Sequence, residues 1–298
     1  MTSSTQPRLL PADFSMRGRS AESGRSAATP PVRPPGLLRT TLARSRVELL
    51  AVFRSRQSLV FTMLFPVLML VILGSIFSGT VQGTNVEFRQ VFIAGVLAAG
   101  VMSVAFSGLA MNIAVERDRG LIRRLGVSPM PRAAYFLGKL VRVAVTTLLE
   151  TLVLLAIAVL AFHLPLPADA QHYLTLAWVL PLGTTACALL AVAYSSLIPH
   201  AGAAAAIVTP PFIALQFISG VFFPFGQLPS WMQTVAAFFP LKWLAQGFRY
   251  VFLPVGFQRV EPAGNWELGH IALVLGIWAV AMLVVSLLTF RWKSTRVH

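Results

Sequence analysis

The sequence predicts an all-α, polytopic membrane protein. It is expected to hold six transmembrane helices, an N-terminal amphipathic interfacial helix, and an outward re-entrant or interfacial helical element between spans five and six. Three observations carry this prediction. Several apolar runs exceed the roughly 20 residues that a helix needs to cross a bilayer. Of the 298 residues, 56% are hydrophobic and only 11% are charged, against about 25% charged in a soluble domain. The remaining charge is concentrated in the termini and in one internal island, 116–142. A transmembrane barrel would instead show alternating segments of about ten residues, and the sequence has none.

Residues 1–35 are rich in Ser, Arg, Pro, Ala and Gly. They carry too little apolar surface to repay the entropy of ordering, so a disordered cytoplasmic tail is expected. No apolar core follows its arginines, which argues against a signal peptide. In 36–57, Leu38, Leu42, Leu49 and Phe53 recur at helical spacing among Arg39, Arg44, Arg46, Arg54 and Arg56. This predicts an amphipathic connecting helix in the headgroup layer, with Glu48 as a salt-bridge partner for the arginines.

The transmembrane domain is expected over 58–292. Its six spans fall at about 58–79, 91–115, 140–162, 173–197, 201–223 and 268–290. Pro66, Pro181 and Pro210–Pro211 lie inside spans, where neighbouring helices can compensate the lost hydrogen bonds. Ala99, Ser103 and Ser107 form a small-residue stripe that would let helix backbones approach closely. The segment 224–267 is apolar and aromatic but broken by Pro229, Pro240 and Pro254. It is too short and too interrupted to cross twice, so a re-entrant or interfacial arrangement is expected, with Trp231, Trp243 and Tyr250 at headgroup depth. Residues 293–298 form a short C-terminus.

The formal charge is +14, but its placement excludes nucleic acid as the partner. The basic residues flank apolar spans, where they set orientation. Six spans put both termini on one side with the 116–142 island. That side holds ten Lys and Arg before the first span, seven in the island and three after the last span. The other side has only Arg89, Lys242, Arg249 and Arg259. Basic residues stay cytoplasmic, so the termini and island are expected in the cytoplasm of a bacterial cell and 224–267 outside its inner membrane.

Motifs for catalysis are missing from the sequence. It has no GxxxxGK[ST] phosphate loop, no GxSxG nucleophile turn and no HExxH metal pair. His163, His172, His200, His270 and His298 lack ligand spacing, and the single Cys187 allows no disulfide within one chain. No catalytic, cofactor-binding or metal-binding residue is assigned. Glu150 falls inside the third span, where a carboxylate is a functional-site candidate; a hydrogen-bonded helix contact is the competing reading. Asn112, Gln216, Thr184 and Thr185 are read as helix-packing groups. Phe61, Phe65, Phe212, Phe217 and Phe222 are candidates to line a path for an apolar cargo.

The island holds the strongest pattern. Glu116 and Asp118 alternate with Arg117 and Arg119, then Gly120, Arg123 and Arg124 follow. Gly120 and the Ser-Pro-Met-Pro break at 128–131 divide it into two short helical pieces. Topogenic charge alone would explain the arginines but not the alternation. Alternating acid and base suits docking against a charged protein surface, where ion pairs set register more than affinity.

The order of these features resembles the permease subunits of type 2 ABC exporters, bacterial exporters of drugs, lipids and polysaccharides that include the daunorubicin-resistance permeases. Glu116-Arg117-Asp118-Arg119-Gly120 with Arg124-Leu125 and Ser128-Pro129 is similar to the family's E-R-E-R-G-T…L…T-P loop, and Gly138-Lys139 to its closing G-K. Ser219-Gly220-Val221-Phe222-Phe223-Pro224 with Leu228-Pro229 is similar to its S-G-x-x-F-P…L-P segment, and Phe239-Pro240-Leu241 through Arg249 to its N-P-L…R segment. Asp118, Leu121 and Phe239 depart from the usual Glu, Thr and Asn, the last bearing on how the outer element is capped. The resemblance covers about 37–292.

The resemblance implies a membrane subunit without its own ATPase. A second permease copy or homologue would complete the pore, and two separate ABC ATPase subunits, binding ATP and Mg2+, would dock on 116–139. Glu116, Arg117, Asp118, Arg119, Gly120, Arg123 and Arg124 would form the coupling element. Gly220, Pro224, Pro229, Pro240 and Arg249 would shape the outer re-entrant motif. The expected activity is export of a hydrophobic or amphipathic substrate, a drug, lipid or glycolipid. The alternative is a stand-alone proton- or ion-coupled carrier that uses Glu150.

Overall fold

The computed structural model describes residues 36–54, 56–127 and 130–289. The predicted tail and the last six residues lie outside that range, as do Ser128 and Pro129 of the loop motif. Apart from an isolated antiparallel bridge between Thr80 and Glu87, regular structure among the described residues is helical. The order is α1 (Leu37–Arg54), α2 (Arg56–Ile76), α3 (Phe88–Met102), a π-helical segment (Ser103–Gly108), α4 (Leu109–Asp118), α5 (Leu121–Gly126), α6 (Arg132–Phe162), α7 (Ala170–Tyr194), α8 (Ala201–Ile218), α9 (Ser230–Phe238), α10 (Pro240–Phe252) and α11 (Leu268–Thr289).

Five helical stretches are long and apolar enough to cross a membrane: Phe88–Asp118, Ala133–Phe162, Ala170–Leu197, Ala201–Ile218 and Leu268–Thr289. The span expected at 58–79 falls on α2, whose apolar part is the shorter stretch Thr62–Ile76. Two boundaries move. The fifth span ends at Ile218 rather than near 223, because Ser219–Phe223 turns through Gly220 at φ 73°. The third begins at Arg132 rather than near 140, so the end of the 116–139 loop is the first part of α6.

Burial follows from composition. Every residue from Val91 to Met102 is buried, which makes α3 the central helix. All of α10 is buried as well, packed against α3, α7 and α11. Gly183 and Gly247 sit where a Cβ would strike Leu244 and Val179, so the absence of side chains sets the spacing of α7 and α10. At the periphery, α11 exposes Leu273, Ile277, Val280, Leu283 and Leu287. Such a continuous apolar exterior is stable only against hydrocarbon or a partner.

Helix α1 shows the same inversion. Leu38, Leu42 and Phe53 face outward, while Ser45, Glu48 and Val52 are buried against the bundle. The small-residue stripe does not mark a tight contact: Ala99 is buried, but Ser103 and Ser107 are only half-buried and lie in the π-helical turn. Trp231 is exposed, whereas Trp243 and Tyr250 pack inside the protein.

Candidate functional site

At one end of the bundle, α4 terminates at Asp118, Gly120 turns the chain at φ 69°, and α5 follows as a single short helix. The expected two short helical pieces reduce to one among the described residues, α5, which lies between the end of the helical stretch Phe88–Asp118 and the start of α6. Of the seven candidate coupling residues, three are anchored by contacts inside the chain. Glu116 accepts hydrogen bonds from Tyr135 Oη at 3.0 Å and from Lys139 Nζ at 2.5 Å. Arg117 Nη1 donates to the carbonyls of Ser195 and Ile198, each at 2.9 Å. Asp118 Oδ2 accepts from the backbone N–H of Ala201 at the start of α8, where a carboxylate also favours the helix dipole. The outward residues are Arg119, Arg123 and Arg124, with Val127 fully in the open at 88% exposure.

A buried ionic knot supports this end. Lys139, only 1% exposed, donates to Glu48 of α1 at 2.9–3.0 Å, to Asn112 Oδ1 at 2.8 Å and to Glu116. Arg142 Nη1 donates to the same Glu48 and Asn112, both at 3.1 Å, and Arg44 pairs with Glu48 within α1. Burial alone would raise the Glu48 carboxyl, but Lys139, Arg44 and Arg142 together hold it below the ordinary carboxylate value. Gly138 lets α1 reach α6: a Cβ there would lie 2.7 Å from Arg44 Cγ. The Gly-Lys pair therefore has two physical duties, close approach and charge neutralisation.

Of the residues expected in the outer re-entrant motif, Gly220 and Arg249 come together. Arg249 is completely buried; its Nε donates to Glu261 Oε1 at 2.7 Å and its Nη1 to the Gly220 carbonyl at 3.1 Å. Gly220 needs its positive φ and its missing side chain together, since a Cβ would meet Phe225 at 2.9 Å and Arg249 at 3.3 Å. Pro224 precedes a short 3₁₀ turn, Pro229 precedes α9, and Pro240 is the first residue of α10. Phe239, in place of the usual Asn, caps α10 without a side-chain hydrogen bond and stacks on Trp278 instead. Nearby, Lys242 is buried against Trp243 with its Nζ 3.4 Å from the ring centroid, and donates to Gln246 at 2.6 Å. Burial lowers its pKa to about 8, against the opposing pull of Glu267.

Glu150 is 1% exposed in α6. Neither carboxyl oxygen has a hydrogen-bond partner among the described residues, and the group packs against Gly100 of α3. Phe65, Phe212 and Phe222 converge around Gln216, but the gap between them is only about 10 Å³. Phe217 is half exposed beside Phe222.

Several residues of the site escaped sequence reasoning: Tyr135, Asn112 and Arg142 as ligands of the knot, and Glu261 as the counterion of Arg249. A rule of charge balance would have found Glu261, because an apolar segment that buries an arginine needs an acid. Glu48 was visible as a lone acid in a basic helix, although its partners on α6 were not.

Comparison with known proteins bears on the same features. A family model described as "ABC-2 type transporter" matches residues 40–253. The chain is 22% identical over 248 residues to a protein named "Putative transport permease ycf38" of Porphyra purpurea, covering 80% of this chain and 84% of that one. It is 26% identical over 191 residues to "Probable multidrug ABC transporter permease YbhR" of Escherichia coli, covering 64% of this chain and 50% of that protein.

Proposed function

Because the chain belongs to the ABC-2 type transporter family, we propose that it is the membrane-spanning permease subunit of an ATP-driven exporter in the bacterial cytoplasmic membrane. On this reading α2 completes six spans, both termini and α5 face the cytoplasm, and α1 lies in the headgroup layer on its outward leucines. The 224–267 segment forms the outer re-entrant element. Two copies, or this chain and a homologue, form the pore. Two separate ABC ATPases hold ATP and Mg2+ and dock on α5. The chain itself carries no catalytic step.

The observation that carries the reading is the division of labour at α5. Arg119, Arg123 and Arg124, at and beyond the turn into α5, are presented outward, while Glu116, Arg117 and Asp118, on the end of α4 that leads into it, fasten that end to α6, to the turn after α7 and to α8. A docking surface built this way passes a push to three helices at once, as a coupling contact at a bistable interface requires. The family name and the printed names of the two relatives agree with such a subunit. The apolar exterior and scarce fixed charge within the spans suit a hydrophobic or amphipathic cargo.

The test is co-purification of the full chain with its co-expressed ATPase. R123E/R124E is expected to abolish association and ATP-dependent export while the permease stays folded. Full association with export intact would sink the reading.

One observation favours a second reading, a stand-alone proton- or ion-coupled carrier: the buried carboxyl of Glu150, which has no hydrogen-bond partner among the described residues. It predicts transport that collapses with a protonophore and ignores ATP depletion, and that is lost in E150Q.

A further inference from the structure

A cavity of about 360 Å³ lies between α1, α2, the π-helical segment, α4 and α6, within the range of small-molecule sites. Its walls include Val52, Val104, Leu109 and Val143, and its polar lining is Asn112 and Arg142 with the hydroxyl-bearing Thr62 and Thr146. Two features make it more than a packing gap. The first is charge. The adjoining knot contains Arg44, Lys139 and Arg142 against Glu48 and Glu116, three cations to two carboxylates, so it is one negative charge short of balance. Lys139 is enclosed by both acids, and Arg142 is the most exposed of the three cations, at 22%. Of its guanidinium, only Nη1 is engaged, by Glu48 and Asn112. Its Nε and Nη2 donate to nothing among the described residues, although a guanidinium offers five N–H donors.

The second feature is shape. Val104 and Gly108 both come from the π-helical segment. A Cβ on Gly108 would meet only Ser103 O at 3.5 Å, so the missing side chain leaves the space open. π-bulges occur frequently at functional sites.

We propose that this cavity binds an amphiphile with an anionic head: a phosphate or carboxylate on the spare fork of Arg142, and its hydrocarbon along Val104, Leu109 and Val143. A planar fork suits such oxygens, and the bound anion brings the knot to neutrality. The same chemistry belongs to a resident anionic membrane lipid and to a transported anionic amphiphile. The site does not depend on ATPase docking, since its occupancy is read without nucleotide.

The probe is palmitoyl-oleoyl-phosphatidylglycerol, titrated against the phosphatidylcholine of the same chains onto the purified full chain and read by native mass spectrometry. Both headgroups carry the phosphodiester, but only phosphatidylcholine adds a cation that the net positive knot repels, so wild type is expected to prefer the anionic lipid by about tenfold. R142Q loses this preference. G108L, which leaves every member of the ionic knot in place, weakens binding of both lipids, and thermal melting of each variant verifies that it is folded. Equal binding of the two lipids by wild type, or a preference that survives R142Q, overturns the proposal; undiminished binding by G108L overturns its placement in this cavity. Headgroup-labelled phosphatidylglycerol in proteoliposomes of the chain with its ATPase then separates the sources. Movement on addition of Mg-ATP identifies the bound amphiphile as cargo, and retention identifies a resident lipid.

Discussion

The sharpest perturbation is K139M, which replaces the ammonium of the knot by an apolar group of similar length. Lys139 lies 2.9 Å from Glu48 and also pairs with Glu116 and Asn112. Without it, Glu48 keeps Arg44 and Arg142, so most of its compensation survives. Glu116 loses its cation and keeps the Tyr135 hydroxyl. The variant therefore strands one carboxylate in a largely buried place. Removing one partner of a buried pair costs about 3–5 kcal/mol. The Glu116 side chain is 13% exposed, and water reaching it places the cost near 3 kcal/mol. At roughly 2–4 °C per kcal/mol for a chain of this order of size, the melting temperature in nanodiscs should fall by about 6–12 °C. E116Q/K139M removes the stranded charge and should recover about half. A shift in K139M below about 2 °C, or strict additivity of E116Q and K139M to within about 0.5 kcal/mol, would refute the view that this knot fixes the position of α4 against α6.

Three further outcomes are expected. R249M strands Glu261 and the Gly220 carbonyl in the interior and should cost about 3–5 kcal/mol, with R249M/E261L recovering more than half in the same melting assay. G138L cannot coexist with Arg44 at its present distance and should separate α1 from α6, read as faster hydrogen exchange confined to 37–54 and to the residues around 139. Lys242 has its pKa lowered to about 8 by burial among Trp243, Gln246, Glu267, Glu261 and Arg249, against about 10.4 in an unfolded chain. The unfolded state then binds more protons between pH 8 and 10.4, so this residue makes stability rise with pH across that window, by at most roughly 3 kcal/mol. The difference in stability between wild type and K242M should show that rise; parallel pH profiles would contradict it.

What the sequence displayed was whatever depends on composition and spacing along one segment. Apolar length located the five membrane-length helices of the structure. Gly120 marked the turn between α4 and α5, and the proline positions marked the starts of α9 and α10. What stayed hidden depends on which segments meet. Glu116 and Asp118 look in the sequence like members of a solvent-facing alternation with Arg117 and Arg119. In the fold, a helix end brings successive side chains to different neighbours, so Glu116 faces α6 and Asp118 faces the start of α8 while Arg119 faces out. The depth of α10 was hidden for the same reason: thirteen residues with Lys242, Gln246 and Arg249 look interfacial until Glu261 and Glu267, from the next loop, supply their partners.

The two ends of the bundle solve one problem differently, and the difference bears on how the chain would move. The end that holds Arg249 fastens it to a carbonyl on the turn after α8 and to an acid on the loop after α10, so α10, the Gly220 turn and the 253–267 loop form one unit. The end that bears α5 fastens side chains across α1, α4, α6 and α8, joining helices that are distant in sequence. A displacement of α5 passes through the Gly120 turn to the end of α4, and from there into α6 and α8 by the Glu116–Lys139 ion pair and the capping bond of Asp118. It reaches α11 through α7, α9 and α10, in a largely apolar contact that also carries two neutral hydrogen bonds, from Ser286 Oγ to the Leu189 carbonyl and from Trp278 Nε1 to the Phe238 carbonyl. Apolar surfaces joined by a few neutral hydrogen bonds yield more easily than buried ion pairs, whose separation strands a charge. The helices that must shift together are the ionically tied ones, and α11 is the element free to lag behind. Site-directed spin labels on α6 and α8 should keep their mutual distance through the nucleotide cycle while distances from either to α11 change. The opposite pattern would place the moving boundary between α6 and α8, and the ionic knot would then be a latch rather than a strut.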